Sequence, residues 1–267
     1  MSKRVLFLLP IALFALVGCK NSGGKASGDV TSSEEEEPEE VVIPTVLDGD
    51  LKTAYDAAAA LAKGGDTGET SYTFSGTVVS KCGNSWFVQK GYSGLYFYNT
   101  KIDGNAPAIG RNVSVTTKLC NYNGMLESKS GTSTASFVDA ETHALEDEIH
   151  LCGAGQLAQL RQNIRVSVKV KVTDAFHNPW SSEKAPFLEG KVLNRDNEVA
   201  DIKIKFDKYA FSGASAEAKE VLNAAAIGDV LELHNLVTTA YDDAAGSPTP
   251  NQLIAGESVT AVKLAAE

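Results

Sequence analysis

Between residues 71 and 140 apolar and polar residues alternate in short runs. The runs are SYTFSGTVVS (Ser71–Ser80), NSWFVQK (Asn84–Lys90), GLYFYN (Gly94–Asn99), NVSVTTKL (Asn112–Leu119) and TASFVDA (Thr134–Ala140), separated by Gly and Asn. A period of two bounded by turn residues predicts strands, and five short strands in one small stretch predict a closed antiparallel barrel. Upstream, Asp48 or Asp50 can N-cap a helix whose inner face is Leu51, Tyr55, Ala58, Leu61 and Ala62, stopped by Gly64 and Gly65.

The pattern returns after residue 161 without the residues returning. RVSVKVKVT (Arg165–Thr173), APFLEGKVL (Ala185–Leu193), DIKIKFDKY (Asp201–Tyr209), VLELHNLVTT (Val230–Thr239) and ESVTAVKLA (Glu257–Ala265) read as five more strands. Between the third and fourth, Ser215 precedes a helical stretch to Ala226, ended by Gly228. A helix after strand three is the connection of the OB-fold, and the first copy replaces it with the loop TKIDGNAPAIGR (Thr100–Arg111). The expected architecture is mainly β: two small OB-fold-like antiparallel β-barrels in tandem, over residues 48–140 and 161–267, joined by a connector over 141–160.

The first module resembles OB-fold domains of bacterial surface lipoproteins and of extracellular nuclease-associated modules. The matching positions are Phe74, Gly76 and Val78; Gly83, Asn84 and Phe87; Gly110, Val113 and Val115; and CNYNGMLES from Cys120 to Ser128. In the second module IGDVLELHNLVTTAYDD (Ile227–Asp243) and NQLIAGESVTAV are similar to the fourth and closing strands of the same family. The resemblance implies a binding fold whose ligand meets the face of strands two and three.

The chain begins with Lys3 and Arg4, then an apolar run from Val5 to Val17 that is shorter than the roughly 20 residues a bilayer requires, which predicts a signal peptide over 1–18. It ends in Leu16, Val17, Gly18 and Cys19, which resembles the bacterial lipobox. That resemblance implies diacylglyceryl attachment at Cys19, a mature chain starting there, and a lipid-anchored protein of the cell envelope outside the cytoplasm, with membrane lipid as its first partner. Residues 19–47 hold seven acids against two bases, including Glu34–Glu37, Glu39 and Glu40, with abundant Gly and Ser. Such a segment cannot repay its ordering entropy and is expected to be a disordered acidic tether.

Of 267 residues, 43% are hydrophobic and 22% charged, a globular composition, and the net charge of −10 excludes a polycation that coats nucleic acid indiscriminately. Export puts Cys82, Cys120 and Cys152 where disulfides form. Cys82 and Cys120, at the ends of strands one and four, are the candidate pair, with three unpaired thiols as the alternative. His143, His150, His177 and His234 lack metal-ligand spacing, no nucleophile elbow or phosphate loop occurs, and CGAGQL (Cys152–Leu157) follows no predicted strand and reads as a hinge. The expectation is a protein without catalytic residues, metal or cofactor.

Two surface features remain. Strand parity puts Trp86 and Val88 with Leu95 and Phe97 in the core, and Phe87, Tyr96 and Tyr98 on the outer face, with Tyr122 in the loop at its edge. Rings at that groove stack on bases or sugars, and packing under the second module would account for them equally. Arg165, Lys169 and Lys171, with Lys203 and Lys205 on another strand, form a candidate basic stripe, or a solvated face that deters edge pairing. The resulting expectation is a nonenzymatic envelope lipoprotein acting as a binding or scaffolding module. Alternative ligands for it are single-stranded nucleic acid, through the groove and stripe, and oligosaccharide; an unknown protein partner is the third class.

Overall fold

The computed structural model describes residues 46, 48–174, 187–194, 197–206, 208–240 and 246–265. The expected signal peptide, Cys19, nearly all of the tether, and His177 lie outside the described residues.

The first sheet contains β1 (Tyr72–Cys82), β2 (Ser85–Lys90), β3 (Ser93–Phe97), β4 (Arg111–Thr117), β5 (Leu119–Tyr122), β6 (Met125–Ser128) and β7 (Thr134–Thr142), in the order β5-β6-β3-β2-β1-β4-β7. Its pairs are antiparallel except β3 with β6. β4 and β5 are one strand interrupted at Lys118, and this continuity closes the sheet into a five-stranded barrel. The two-residue turn between β5 and β6 is Asn123-Gly124, with φ of 53° and 98°, the left-handed pair that a type I′ hairpin requires. Helix α1 (Asp50–Ala59) plugs one end, burying Leu51, Ala54, Tyr55 and Ala58 against a core that includes Phe74, Trp86 and Phe97. Its N-cap is Gly49, without a side-chain cap, so neither Asp48 nor Asp50 caps it, and Leu61 and Ala62 lie past its end.

The chain crosses to the second sheet through β8 (Ile149–Leu151) and the short helix α2 (Ala154–Leu157), a structured turn in which Gln156 accepts from the amide of Cys152 at 2.7 Å. The second sheet adds β9 (Arg165–Asp174), β10 (Phe187–Asn194), β11 (Asn197–Phe206), β12 (Val230–Thr239) and β13 (Gln252–Lys263). Its order is β10-β11-β13-β12-β9-β8, and β10 also pairs with β9, which closes five strands into a barrel. β11 and β13 are parallel, and α3 (Lys208–Gly213) and α4 (Ala216–Ala224) lie between β11 and β12. Strand order 1-2-3-5-4-1, parallel strands three and five, and a helix after strand three are the OB-fold topology. The first barrel has the same order, with α1 supplying the plug that its strand-three connection lacks. Ser215 caps α4, its Oγ accepting from Ala218 at 3.1 Å. Val166, Val168, Val170 and Val172 point into the second core while Lys169 points out, as the period of two demands.

Both barrels belong to one compact unit. The segment joining them carries two buried amides, Gln162 and Asn163. Gln162 accepts from the amide of Leu126 at 3.2 Å and donates to the carbonyls of Gly124 at 2.7 Å and Pro248 at 2.6 Å. Gln89 of β2 accepts from the amide of Arg165 at 2.9 Å. Arg161 pairs with Asp56 at 2.8 Å and lies 4.4 Å over the ring of Tyr55.

Candidate functional site

On the outer face of the first barrel the pairing runs Phe87–Tyr96–Glu127–Cys120 across β2, β3, β6 and β5. Side chains paired in one row of a sheet share a face, so two rings, a carboxyl and a thiol stand side by side. They form the wall of a cavity of about 580 Å³ whose lining also includes Cys82, Tyr98, Tyr122, Met125, Ser130, Lys205 and Ile254. Lys205 and Ile254, paired neighbours on β11 and β13, come from the second barrel. The cavity therefore sits where OB-folds bind ligands, over strands two and three beside the last hairpin, with one side made by the neighbouring barrel.

All four aromatic residues expected at a groove line this cavity. Tyr98 and Tyr122 are exposed at its mouth, at 55% and 53%, and Tyr96 is half-buried. Phe87 departs from the expectation of an open platform: it is fully buried, tilted against Tyr96 with centroids 4.7 Å apart, in a small cluster with Val79, Cys82, Met125, Val237 and Ile254. The strand parity is right, but β12 and β13 cover that face, so Phe87 serves as packed floor rather than free ring. Trp86 and Phe97, on the opposite face, stack with centroids 4.2 Å apart in the first core.

Glu127 is 8% exposed, and burial lifts its carboxyl to about 7. Cys120 Sγ donates to Glu127 Oε1 at 3.8 Å. Burial, and then the carboxylate beside it, pushes the Cys120 thiol up to about 12. Cys82 and Cys120 are not bridged, which corrects the pairing expected from strand ends. The β1–β4 ladder runs antiparallel from Tyr72 with Thr117 to Thr77 with Asn112, so Cys82 lies beyond one end of it and Cys120 beyond the other. In the sheet their strands are separated by β2, β3 and β6.

The five basic residues do not form one stripe, because β10 lies between β9 and β11. Arg165 Nε is 3.5 Å from Glu148 and donates to Asn235 at 2.9 Å. Lys203 pairs with Glu189 at 3.2 Å, in a row that continues to Asp174. Lys169 faces Glu232 across the β9–β12 ladder, and Lys171 pairs in register with Lys191, which itself faces Asp201. Lys205 alone reaches the cavity lining. Among the described residues no group of three His, Cys, Asp or Glu is arranged to hold a metal ion. His143 meets Asp139 at 3.0 Å, His150 meets Ser167 at 3.2 Å, and His234 meets Glu148 at 2.9 Å.

Sequence reasoning did not assign Glu127, Met125, Ser130 or Ile254 to the site. The signal for the first two was present in the Asn-Gly pair, which marks a hairpin and therefore a strand beginning at Met125. Ile254 has no such signal, since it reaches the cavity only through the docking of the second barrel.

No family model and no curated protein matches the chain. Among solved structures it is similar to fission yeast Pot1 with ssDNA, at 12% identity over 80% of this chain and 87% of that one, with a TM-score of 0.32. It is also similar to the tetrameric p202 HIN2, at 12% identity over 77% and 100%, with a TM-score of 0.29. A third is a replication protein A heterotrimer bound to ssDNA, at 11% identity over 73% and 49%, with a TM-score of 0.29.

Proposed function

We propose that this protein is a lipid-anchored binding protein of the cell envelope, held through acylated Cys19, that captures a single-stranded nucleic-acid segment in the cavity of its first barrel and catalyses no reaction. The observation that carries the reading is the convergence of Tyr96, Tyr98 and Tyr122 with Lys205 on one cavity of about 580 Å³. The rings offer stacking surface to any base, and the lysine supplies a cation for a flanking phosphate. Because the remaining basic residues stand among acids, few phosphates are neutralised, and affinity falls with salt at a slope of about −0.7 per phosphate contacted.

Filter binding of a labelled oligothymidylate at two salt concentrations tests this. Retention that falls with salt and weakens in Tyr98→Ala is expected, and no retention at low salt overturns it. Oligosaccharide capture is the second reading, favoured by the net charge of −10 and by a carboxyl among the rings, the pairing that sugar hydroxyls and ring faces require. Binding on a glycan array that is insensitive to salt supports that reading instead. The anchor has its own test: Cys19→Ser abolishes lipid labelling and moves the protein out of the membrane fraction, and retention of both removes the lipoprotein reading.

A further inference from the structure

We propose that the cavity selects a base presenting two adjacent N–H donors on one edge, the pattern of guanine, and that Glu127 is the residue that selects it. The inference rests on the nucleic-acid reading of the cavity and names the ligand edge it recognises.

Glu127 is 8% exposed, yet it lines the cavity. Among the described residues the only hydrogen bond to its carboxyl comes from the thiol of Cys120, at 3.8 Å. A thiol is a weak donor, whereas an ionised carboxylate offers about four acceptor sites. Buried carboxyls are ordinarily satisfied by backbone amides, by arginine or by water, and one so sparsely partnered in an apolar wall is set up to receive donors from whatever fills the cavity.

The neighbours of Glu127 define the edge. In the row Phe87–Tyr96–Glu127–Cys120 it stands one strand from Tyr96 on the same face, a spacing of about 4.8 Å. A base seated in the cavity against Tyr96 is therefore within reach of the carboxyl. Guanine presents N1–H and the 2-amino group side by side, matching the two oxygens of a carboxylate. Adenine and cytosine present one amino group next to a ring nitrogen acceptor, which faces a carboxylate oxygen lone pair to lone pair. Thymine flanks its single N–H with two carbonyls. With the carboxyl ionised, above about pH 7, only the guanine edge satisfies both oxygens without setting an acceptor against an acceptor; protonated, the carboxyl matches the adenine and cytosine edges instead.

The test uses a labelled oligothymidylate carrying one central guest, guanine, hypoxanthine, adenine or cytosine, bound at pH 8, where the carboxyl is ionised, to the folded full chain and read by fluorescence anisotropy. The guanine guest is expected to bind about tenfold or more tighter than the hypoxanthine guest, which differs only in lacking the 2-amino group. Glu127→Gln erases that preference, whereas Tyr98→Ala weakens every guest alike, and thermal melts establish that both variants are folded. Equal affinity for all guests overturns the inference and leaves single-strand capture standing. A guanine preference that survives in Glu127→Gln overturns the role of Glu127, and failure of every oligonucleotide to bind overturns the nucleic-acid reading with it.

Discussion

Asn163 donates through Nδ2 to the carbonyl of Gly94 at 3.2 Å and through its backbone amide to the carbonyl of Thr238 at 2.7 Å, so one residue is bonded to a strand of each barrel. Its φ of 63° is left-handed, a region asparagine tolerates better than most side chains. Gly94 has no room for a side chain, since a Cβ there would overlap the Asn163 carbonyl. Gly94→Ala is expected to cost about 1–3 kcal/mol through overpacking. Nδ2 also donates to the carbonyl of Leu126 at 3.1 Å, and Asn163→Gly, which keeps the backbone conformation and removes only the side-chain amide, is expected to cost about 1–3 kcal/mol for the two carbonyls that lose this donor. Urea denaturation measures both, and curves that overlay the parent would show that this contact does not couple the barrels.

The two faces of β2 and β3 separate by stability. Trp86→Ala and Phe97→Ala each remove half of a stacked core pair and are expected to cost about 3–5 kcal/mol. Phe87→Ala joins them, because it is equally buried beneath the second barrel. Tyr98→Ala, at an exposed position, stays within about 0.5 kcal/mol of the parent. Four thermal melts decide the matter, and a low-melting Tyr98 variant would mean that the ring is structural.

Glu127 makes stability depend on pH. Burial raises its carboxyl from 4.5 to about 7 in the folded protein, so the folded state binds this proton more tightly than the unfolded state. Its contribution is fully present below about 4.5 and is lost as pH rises through about 7. Glu127→Gln cannot ionise and lacks this loss. The melting temperature of the variant relative to the parent is expected to rise between pH 5 and pH 8, and a difference independent of pH would place the carboxyl in contact with water.

The cysteines give a chemical readout. Cys120, pushed up to about 12, is almost entirely thiol at pH 8 and is expected to react slowly with iodoacetamide until the protein is unfolded. Nonreducing peptide maps should contain no Cys82–Cys120 peptide. Its appearance in protein that retains the native melt would contradict the strand order.

Where periodicity was strict, the elements were legible: Arg165–Thr173 read correctly as a strand because Val166, Val168, Val170 and Val172 are all buried, and Val230–Thr239 because Leu231 and Leu233 alternate before a bulge at Asn235. Ser215 was legible as a cap because hydroxyl residues before a helix have one dominant use. β6 was not read as a strand although Asn123-Gly124 marks the turn before it, since four residues carry too short a pattern, and the strand is held by parallel pairing with β3, a contact nonlocal in sequence. β13 starts at Gln252 rather than Glu257 because Leu253 and Ile254 pair with β11 of their own barrel.

The sequence by itself determined local matters: strand parity around Trp86 and Tyr96, the alternation of Arg165–Thr173, and the acidic excess. These depend on neighbouring residues and on the period of two, and both can be read along the chain. Only the tertiary structure decided that Phe87 is floor and Tyr98 is mouth, that Lys205 leaves its expected stripe for the cavity, and that Glu127 stands beside Tyr96 with little more than a thiol for company. The physical reason is that burial at those positions comes from a second barrel docked through Gln162 and Asn163, and from pairing between strands distant in the chain. Alternation says which side of a strand a residue occupies, but what covers that side is set by packing between surfaces.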